Sequence, residues 1–486
     1  MRAAPSRYTL TIPLRGDRML AYNSASQHFA LWDADDVAAW KMIDRGELAV
    51  TDAAASEFLQ SRFAVFDGQD ELAGIEREYM ASRLSEQSLQ ITVCTTLYCN
   101  LACSYCFQGM VKPSTKMKAP VREAIVEYAR QTVLPGGHLS VGWYGGEPLM
   151  GQEALFDLAA RFDDLCEEKR ASRSSFIITN GYLLTSKLAR KLTETGVSIA
   201  QVTLDGPAAM HDERRPLLSG RGSYERILDN LCDVADNSTL PVSIRVNVDM
   251  TNCDAVYEML ADLSRRGLGL GKRLSVYFAP VEATTIDCAS CHSSTLQKEA
   301  YAAFEIDVAR EAARLGLALA PPGGKFMGLC QAVRPRSIVV TPTGDVHKCW
   351  ETVNQPELRH GNIFDMAAAN KSAVATRWAA WTPFDNDVCR ECRILPMCAG
   401  ACAFKTVHSD QQSGESSLPC PSWKFNVAER MFLRAEQKGL VTRGDWIDGI
   451  SGTNRPTGRI TGERQSTASV GNAAMRLDGI AAFEMA

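Results

Sequence analysis

Between residues 88 and 316, apolar runs rich in β-branched and aromatic residues alternate with segments whose apolar positions recur at helical spacing. Leu89–Leu97 predicts a strand and Val121–Thr132 a helix. The pairing repeats in Leu139–Tyr144 with Glu153–Lys169, Phe176–Thr179 with Ser186–Thr195, and Ile199–Leu204 with Tyr224–Ala235. It continues in Val242–Val248 with Ala255–Arg266 and in Leu274–Phe278 with Gln297–Leu315. Such alternation demands parallel strands joined by right-handed crossovers. Six units are too few for a closed eight-unit barrel. The predicted fold class is therefore α/β, built on a partial (β/α)6 TIM barrel. Folds of this kind carry their chemistry at the C-terminal ends of the strands.

The flanking regions follow other patterns. Within residues 1–87, Tyr8–Pro13, Met19–Ala21 and His28–Trp32 read as short strands. Asp35–Arg45 and Ala53–Leu84 read as helical, which makes this region a small α+β accessory module. The barrel is expected over 88–316 and a cysteine-rich unit over 317–435. Residues 436–486 are rich in Gly, Ser, Thr and Arg and read as a disordered tail.

Composition narrows the class. The 486 residues are 45% hydrophobic and 22% charged, as in an ordinary globular protein. A net charge of −5 gives no ground for a general nucleic-acid binder. No apolar run is long enough to span a bilayer, and the N-terminus lacks the apolar core of a secretory signal. The expectation is a cytoplasmic protein with no membrane or nucleic-acid partner. There, sixteen cysteines point to metal ligation in preference to disulfides.

The cysteines are patterned. Cys99, Cys103 and Cys106 form C-x3-C-x2-C directly after the first barrel strand. Three thiolates can hold three irons of a cubic cluster and leave the fourth iron open. Zinc knots usually need two C-x2-C pairs or histidines, which this loop lacks. Gly145-Gly146-Glu147-Pro148 ends the second strand, where glycines permit close backbone approach. Asn180 ends the third strand, Asp205 the fourth, and Arg245 and Asn247 lie on the fifth. All are polar groups at the expected mouth of the barrel. A second set comprises Cys330, Gly344 and Cys349, as C-x13-G-x4-C, then Cys389, Cys392, Cys398 and Cys402, as C-x2-C-x5-C-x3-C, and finally Cys420. Ile338–Cys349, turning at Thr343-Gly344, reads as a hairpin.

The three-cysteine loop followed by GGEP resembles the radical S-adenosylmethionine (SAM) superfamily, and the second cysteine set resembles its SPASM extension. The resemblance implies a SAM-binding 4Fe–4S cluster on Cys99, Cys103 and Cys106, whose open iron chelates the methionine part of SAM. It implies reductive cleavage of SAM to a 5′-deoxyadenosyl radical that abstracts hydrogen from substrate. By position, Tyr105 would contact adenine, and Gly145, Gly146, Glu147, Asn180, Asp205 and Arg245 would line SAM. One auxiliary 4Fe–4S cluster would take Cys389, Cys392, Cys398 and Cys420, and a second Cys330, Cys349 and Cys402. No cysteine lies among Gly324–Leu329, so its fourth ligand is Cys288 or Cys291, or that iron is open.

Enzymes of this group mostly modify peptides. Sulfatase maturases typically place an aspartate after the second SPASM cysteine, where this chain has Trp350, followed by Glu351. The expected function is thus a maturase of a ribosomally made precursor peptide. Residues 1–87 would recognise its leader as an added strand, and a flavodoxin- or ferredoxin-type protein would supply electrons. Formylglycine formation in sulfatases, or a non-catalytic iron–sulfur carrier, are the alternatives. Glu351, Arg214, Arg215 and His211 are the candidates for acid, base or anion contacts.

Overall fold

The computed structural model describes residues 1–109, 112–269, 271–282, 294–317, 324–408 and 418–447. Cys288, Cys291 and the tail from residue 448 onward lie outside these. Among the described residues the strands are β1 (Ala3–Pro5), β2 (Thr9–Leu14), β3 (Arg18–Asn23), β4 (Phe29–Trp32), β5 (Ala64–Phe66), β6 (Ser88–Thr96) and β7 (His138–Gly145). They continue with β8 (Ser172–Thr179), β9 (Val197–Thr203), β10 (Val242–Val248), β11 (Leu274–Pro280), β12 (Ser337–Val340), β13 (Asp345–His347) and β14 (Gly361–Asn362).

The strands β6 to β11 lie side by side in chain order and pair in parallel. This is the expected partial barrel. Alternate side chains on each strand face opposite ways. Ile91, Val93, Val141, Trp143, Ile177, Val202, Ile244 and Val246 pack with the surrounding helices into the largest core. The inner face instead carries Cys94, Tyr144, Gln201, Arg245 and Tyr277, whose polar groups need partners or ligand.

The barrel edge does not end at β6. Strand β12 pairs in parallel with β6, with Ile338 opposite Ile91 and Val340 opposite Val93. The expected hairpin follows: β12 and β13 pair antiparallel, and Gly344 at their turn has φ +88°. The cysteine-rich region is thereby joined to the barrel through one continuous sheet.

Strands β2, β3 and β4 form an antiparallel meander. Period-two alternation gives it two apolar faces. Ala21 and Trp32 pack on the helices Ala34–Asp44 and Ala53–Gln60. Leu10, Ile12, Leu20 and Tyr22 pack on the helix Trp423–Gln437 and on Ile394. The first of these helices begins at a capping box, in which Asp33 accepts from the amides of Asp35 and Asp36.

Two expectations change. Ala53–Leu84 is not one helical segment: helices Ala53–Gln60 and Glu71–Arg83 flank β5, which pairs with β1. Arg62 (φ +60°) and Gly68 (φ +80°) break the helical path. Residues 436–447 are not a tail either. The helix runs to Gln437, Trp446 packs edge-on against Phe432 with ring centres 4.8 Å apart, and Asp445 pairs with Arg18.

Candidate active site

The cysteine loop leaves the end of β6 and is gripped from two sides. On one side lies Gly145-Gly146-Glu147. The amide of Gly146 donates to the Thr96 carbonyl at 3.0 Å and that of Glu147 to the Tyr98 carbonyl at 2.9 Å. A Cβ at Gly145 would collide with the Thr96 oxygen, and one at Gly146 with the Leu97 and Tyr98 oxygens. The close approach that these glycines permit is made to the cysteine loop itself.

On the other side runs Arg214–Leu218. Ser104 N donates to the Arg214 carbonyl (3.0 Å), Ala102 N to the Pro216 carbonyl (2.8 Å) and Leu218 N to the Asn100 carbonyl (3.0 Å). These bonds satisfy backbone groups that an irregular loop would otherwise leave exposed.

The side chains tighten the same grip. Glu147 has no exposed surface. Its Oε1 accepts from Leu149 N (2.9 Å) and Thr179 Oγ1 (2.7 Å), and its Oε2 from Asn180 N (2.7 Å). Burial pushes its pKa up, opposed by those donors. Asn180 in turn donates to Asn100 Oδ1 (2.8 Å) and approaches Cys99 Sγ (3.7 Å). The side chains of Glu147 and Asn180, expected on SAM, thus bind the end of β8 to the cysteine loop.

Tyr105 is held by several groups. Its hydroxyl donates to Asp205 Oδ2 and accepts from Arg215 Nη1 (2.7 Å) and Asn247 Nδ2 (3.1 Å). The Arg214 guanidinium lies 5.1 Å from the centre of its ring. Asp205 is fully buried, and its other oxygen accepts from Asn247 N at 2.9 Å. Asp205 is therefore also a fastener within the protein. Arg214 bonds both oxygens of buried Asp249, at 3.0 and 2.9 Å. His211 sits between Asp205 N and Ser223 Oγ, both at 3.2 Å. Burial and the two arginines hold its pKa well below the usual histidine value. Arg214, Arg215 and His211 are thus each hydrogen-bonded within the protein.

The inner wall is aromatic and polar. Tyr144, at the end of β7, stacks on Trp350 with ring centres 5.0 Å apart and planes 30° apart. Arg245 bonds Asn247 Oδ1 (2.7 Å) and Tyr277 OH (3.3 Å). Glu351 lies within electrostatic reach of Tyr144 and Cys349. Two contacts were not legible in the sequence: Lys112, whose Nζ lies 2.9 Å from Cys106 Sγ, and Asp249 as the partner of Arg214. Both pairings join residues with no shared motif.

The remaining thiols fall into two groups. Cys349 interacts electrostatically with Cys330 and Cys402. Cys398 does so with Cys389, Cys392 and Cys420. Among the described residues no three donors converge as a single metal ion would require. The fit to iron–sulfur clusters rests on the all-thiol donor sets and on their grouping. At the first loop, the three thiols lie within electrostatic reach of Lys112. Among the described residues, the buried Nε–H groups of Arg214 and Arg215 have no acceptor, which leaves donors for a polar ligand.

Comparison with known proteins agrees with this architecture. Residues 93–248 match the radical SAM superfamily. The chain is similar to a serine-type anaerobic sulfatase-maturating enzyme of Klebsiella aerogenes, at 23% identity over 63% of this chain and 76% of that protein. It is also similar to the radical SAM cyclopropyl synthase TigE of Paramaledivibacter caminithermalis, at 25% identity over 41% of this chain and 46% of that protein. Among solved structures, anSMEcpe with bound AdoMet and a Kp18Cys peptide shares the fold. Its TM-score is 0.54 at 17% identity, over 72% of this chain and 98% of that one. Residues 93–248 are thus a radical SAM domain, with SAM and 4Fe–4S clusters as cofactors, and the chain is related to peptide-modifying and sulfatase-maturating enzymes. Among the described residues no helix is long and apolar enough to cross a membrane.

Proposed function

We propose that this chain installs an oxidative modification or crosslink in a ribosomally made precursor peptide, part of which pairs as an added strand with β4. The carrying observation is the edge chemistry of the N-terminal sheet. Its strand order leaves β2 and β4 at the edges. Strand β2 contains Pro13, which has no N–H to offer a partner. Strand β4 contains no proline. A leader bound through its backbone tolerates varied side chains.

Cys99, Cys103 and Cys106 would hold the SAM-binding cluster, and the two groups of thiols described above the auxiliary clusters. When bound, the reduced cluster and SAM supply hydrogen-atom abstraction from the substrate. The protein's own part is rigidity. The Glu147–Asn180 and Arg214–Asp249 contacts keep the cysteine loop in one geometry, as positioned chemistry requires. Tyr144 and Trp350 form a packed wall against which a peptide side chain can be oriented. An external flavodoxin- or ferredoxin-type protein would deliver the electron.

The test uses full-length protein, because the same sheet also covers Ile394 and the helix Trp423–Gln437. Asn23 N bonds the His28 carbonyl, so along the ladder Leu31 alternates to a position whose N–H faces the open edge. Leu31→Pro removes that donor and Leu31→Ala keeps it. A fluorescent peptide encoded by a short reading frame beside the gene should bind the alanine variant about as well as wild type. It should bind the proline variant at least tenfold more weakly. Equal affinities for all three proteins would reject the β4 assignment.

The second reading is formylglycine formation, favoured by the sulfatase-maturating relative that the match spans over 76% of its length. Conversion of a sulfatase-derived Cys or Ser peptide to an aldehyde would establish it. Trp350, where the resemblance expects an aspartate, weighs against it.

A further inference from the structure

Two tyrosines of the N-terminal region are buried in an unusual way. Tyr8 and Tyr79 have no exposed surface, and among the described residues neither hydroxyl has a hydrogen-bond acceptor. Arg83 lies beside the Tyr79 hydroxyl. A guanidinium has no acceptor, however, so the Tyr79 proton remains without one. A buried hydroxyl left without an acceptor destabilises the fold. Phenylalanine would fill either site without that cost.

Both residues pack in one cluster with the auxiliary cysteines. Tyr8 is placed by its neighbours on the turn that carries Cys392. Arg7 Nη2 donates to the Arg390 carbonyl at 2.8 Å and pairs with Glu391 at 3.2 Å. Ser24 Oγ donates to the Arg393 carbonyl at 2.5 Å. Tyr79 is placed beside Cys330. Its ring meets Phe326 and Phe384 edge-on at 5.9 and 5.3 Å. One turn later, Arg83 Nε donates to the Val333 carbonyl at 3.0 Å. Tyr8 lies within electrostatic reach of Cys392, and Tyr79 of Cys330. Those two cysteines belong to different thiol groups.

We propose that the Tyr8 and Tyr79 hydroxyls donate hydrogen bonds to the sulfur atoms of the two auxiliary clusters, one tyrosine to each. A donor to cluster sulfur stabilises the more negative, reduced state and raises its potential. Residues 1–87 then contribute directly to the redox centre that they cover. Tyr8 immediately precedes β2 of the meander, and Tyr79 lies on the helix Glu71–Arg83.

The proposal rests on the division of the seven cysteines into two clusters. Iron content of the anaerobically reconstituted wild type tests that division separately, with about twelve irons per chain expected for three clusters. The experiment is an EPR-monitored redox titration of full-length wild type, Tyr8→Phe and Tyr79→Phe. Each variant should move one auxiliary potential to more negative values, a different one in each case, and leave the SAM-binding cluster unmoved. Fluorotyrosine at the same positions, a stronger donor of nearly the same shape, should move the same potentials the opposite way. Unmoved potentials, or both variants acting on one cluster, would overturn the proposal. Should a phenylalanine variant fail to assemble, the fluorotyrosine proteins alone decide: no positive shift means no donation.

Discussion

Tyr105 donates its hydroxyl proton to Asp205, a carboxylate with no exposed surface at the end of β9. Arg215 and Asn247 close on the same hydroxyl from two further segments. One aromatic residue between Cys103 and Cys106 thus ties the cysteine loop to three separate parts of the barrel. Its ring lies 5.1 Å from the Arg214 guanidinium.

Tyr105→Phe should therefore separate these roles. The ring stays, while buried Asp205 and Arg215 lose their shared partner. A loss of about 1–3 kcal/mol in stability is expected, seen as a lower thermal midpoint, with cysteine-loop iron retained less well. A variant as stable as wild type would show that the hydroxyl network does not hold the loop.

Replacement of Cys99, Cys103 and Cys106 together by alanine should abolish 5′-deoxyadenosine formation. It should remove about four irons per chain and spare the rest. Cys330, Cys349, Cys389, Cys392 and Cys402 lie in a different part of the fold, in the core that includes Tyr8 and Tyr79. Continued reductive cleavage of SAM by this triple variant would refute the assignment.

Cys398→Ala probes the second cysteine set. Cys398 interacts with Cys389, Cys392 and Cys420, so its loss leaves that group with three thiols. SAM cleavage should continue at a comparable rate while modified peptide falls at least tenfold. Mass spectrometry of the peptide, run beside the 5′-deoxyadenosine assay, checks both halves. Normal product yield would make this cluster dispensable.

His211 predicts an acid limit. Its folded pKa is held well below the usual value by burial and by Arg215 and Arg214, so the folded chain keeps the ring neutral. The unfolded chain takes up the proton near pH 6.5. Below that, unfolding binds a proton, and the fold loses about 1.4 kcal/mol per pH unit from this group. Above it the contribution is fully present. His347 and His360, each depressed to about 4, act in the same direction. His211→Gln should accordingly show a shallower fall in thermal midpoint between pH 7 and pH 5 than wild type. Parallel curves would show that His211 does not stay neutral in the folded chain.

What the sequence determined by itself was whatever is local or periodic. Strand–helix alternation specified the parallel sheet, because a right-handed crossover leaves one way to pack each unit. The cysteine spacings delimited the thiol sets, since neighbouring ligands on a short loop must share a site. The turn at Gly344 was legible because its positive φ favours glycine. Tertiary structure alone decided the partners of the buried polar groups. Glu147 and Asp205 follow the ends of β7 and β9, as their positions suggested, and Arg214 and Arg215 close the helix Ala208–Arg214, yet each is bonded to a residue far away in the chain. A buried charge must be paired, but no local pattern says with what. The same holds for β12 beside β6 and for the N-terminal sheet over the auxiliary cysteines. Those contacts join segments hundreds of positions apart, and they exist because two apolar faces had to be covered at once.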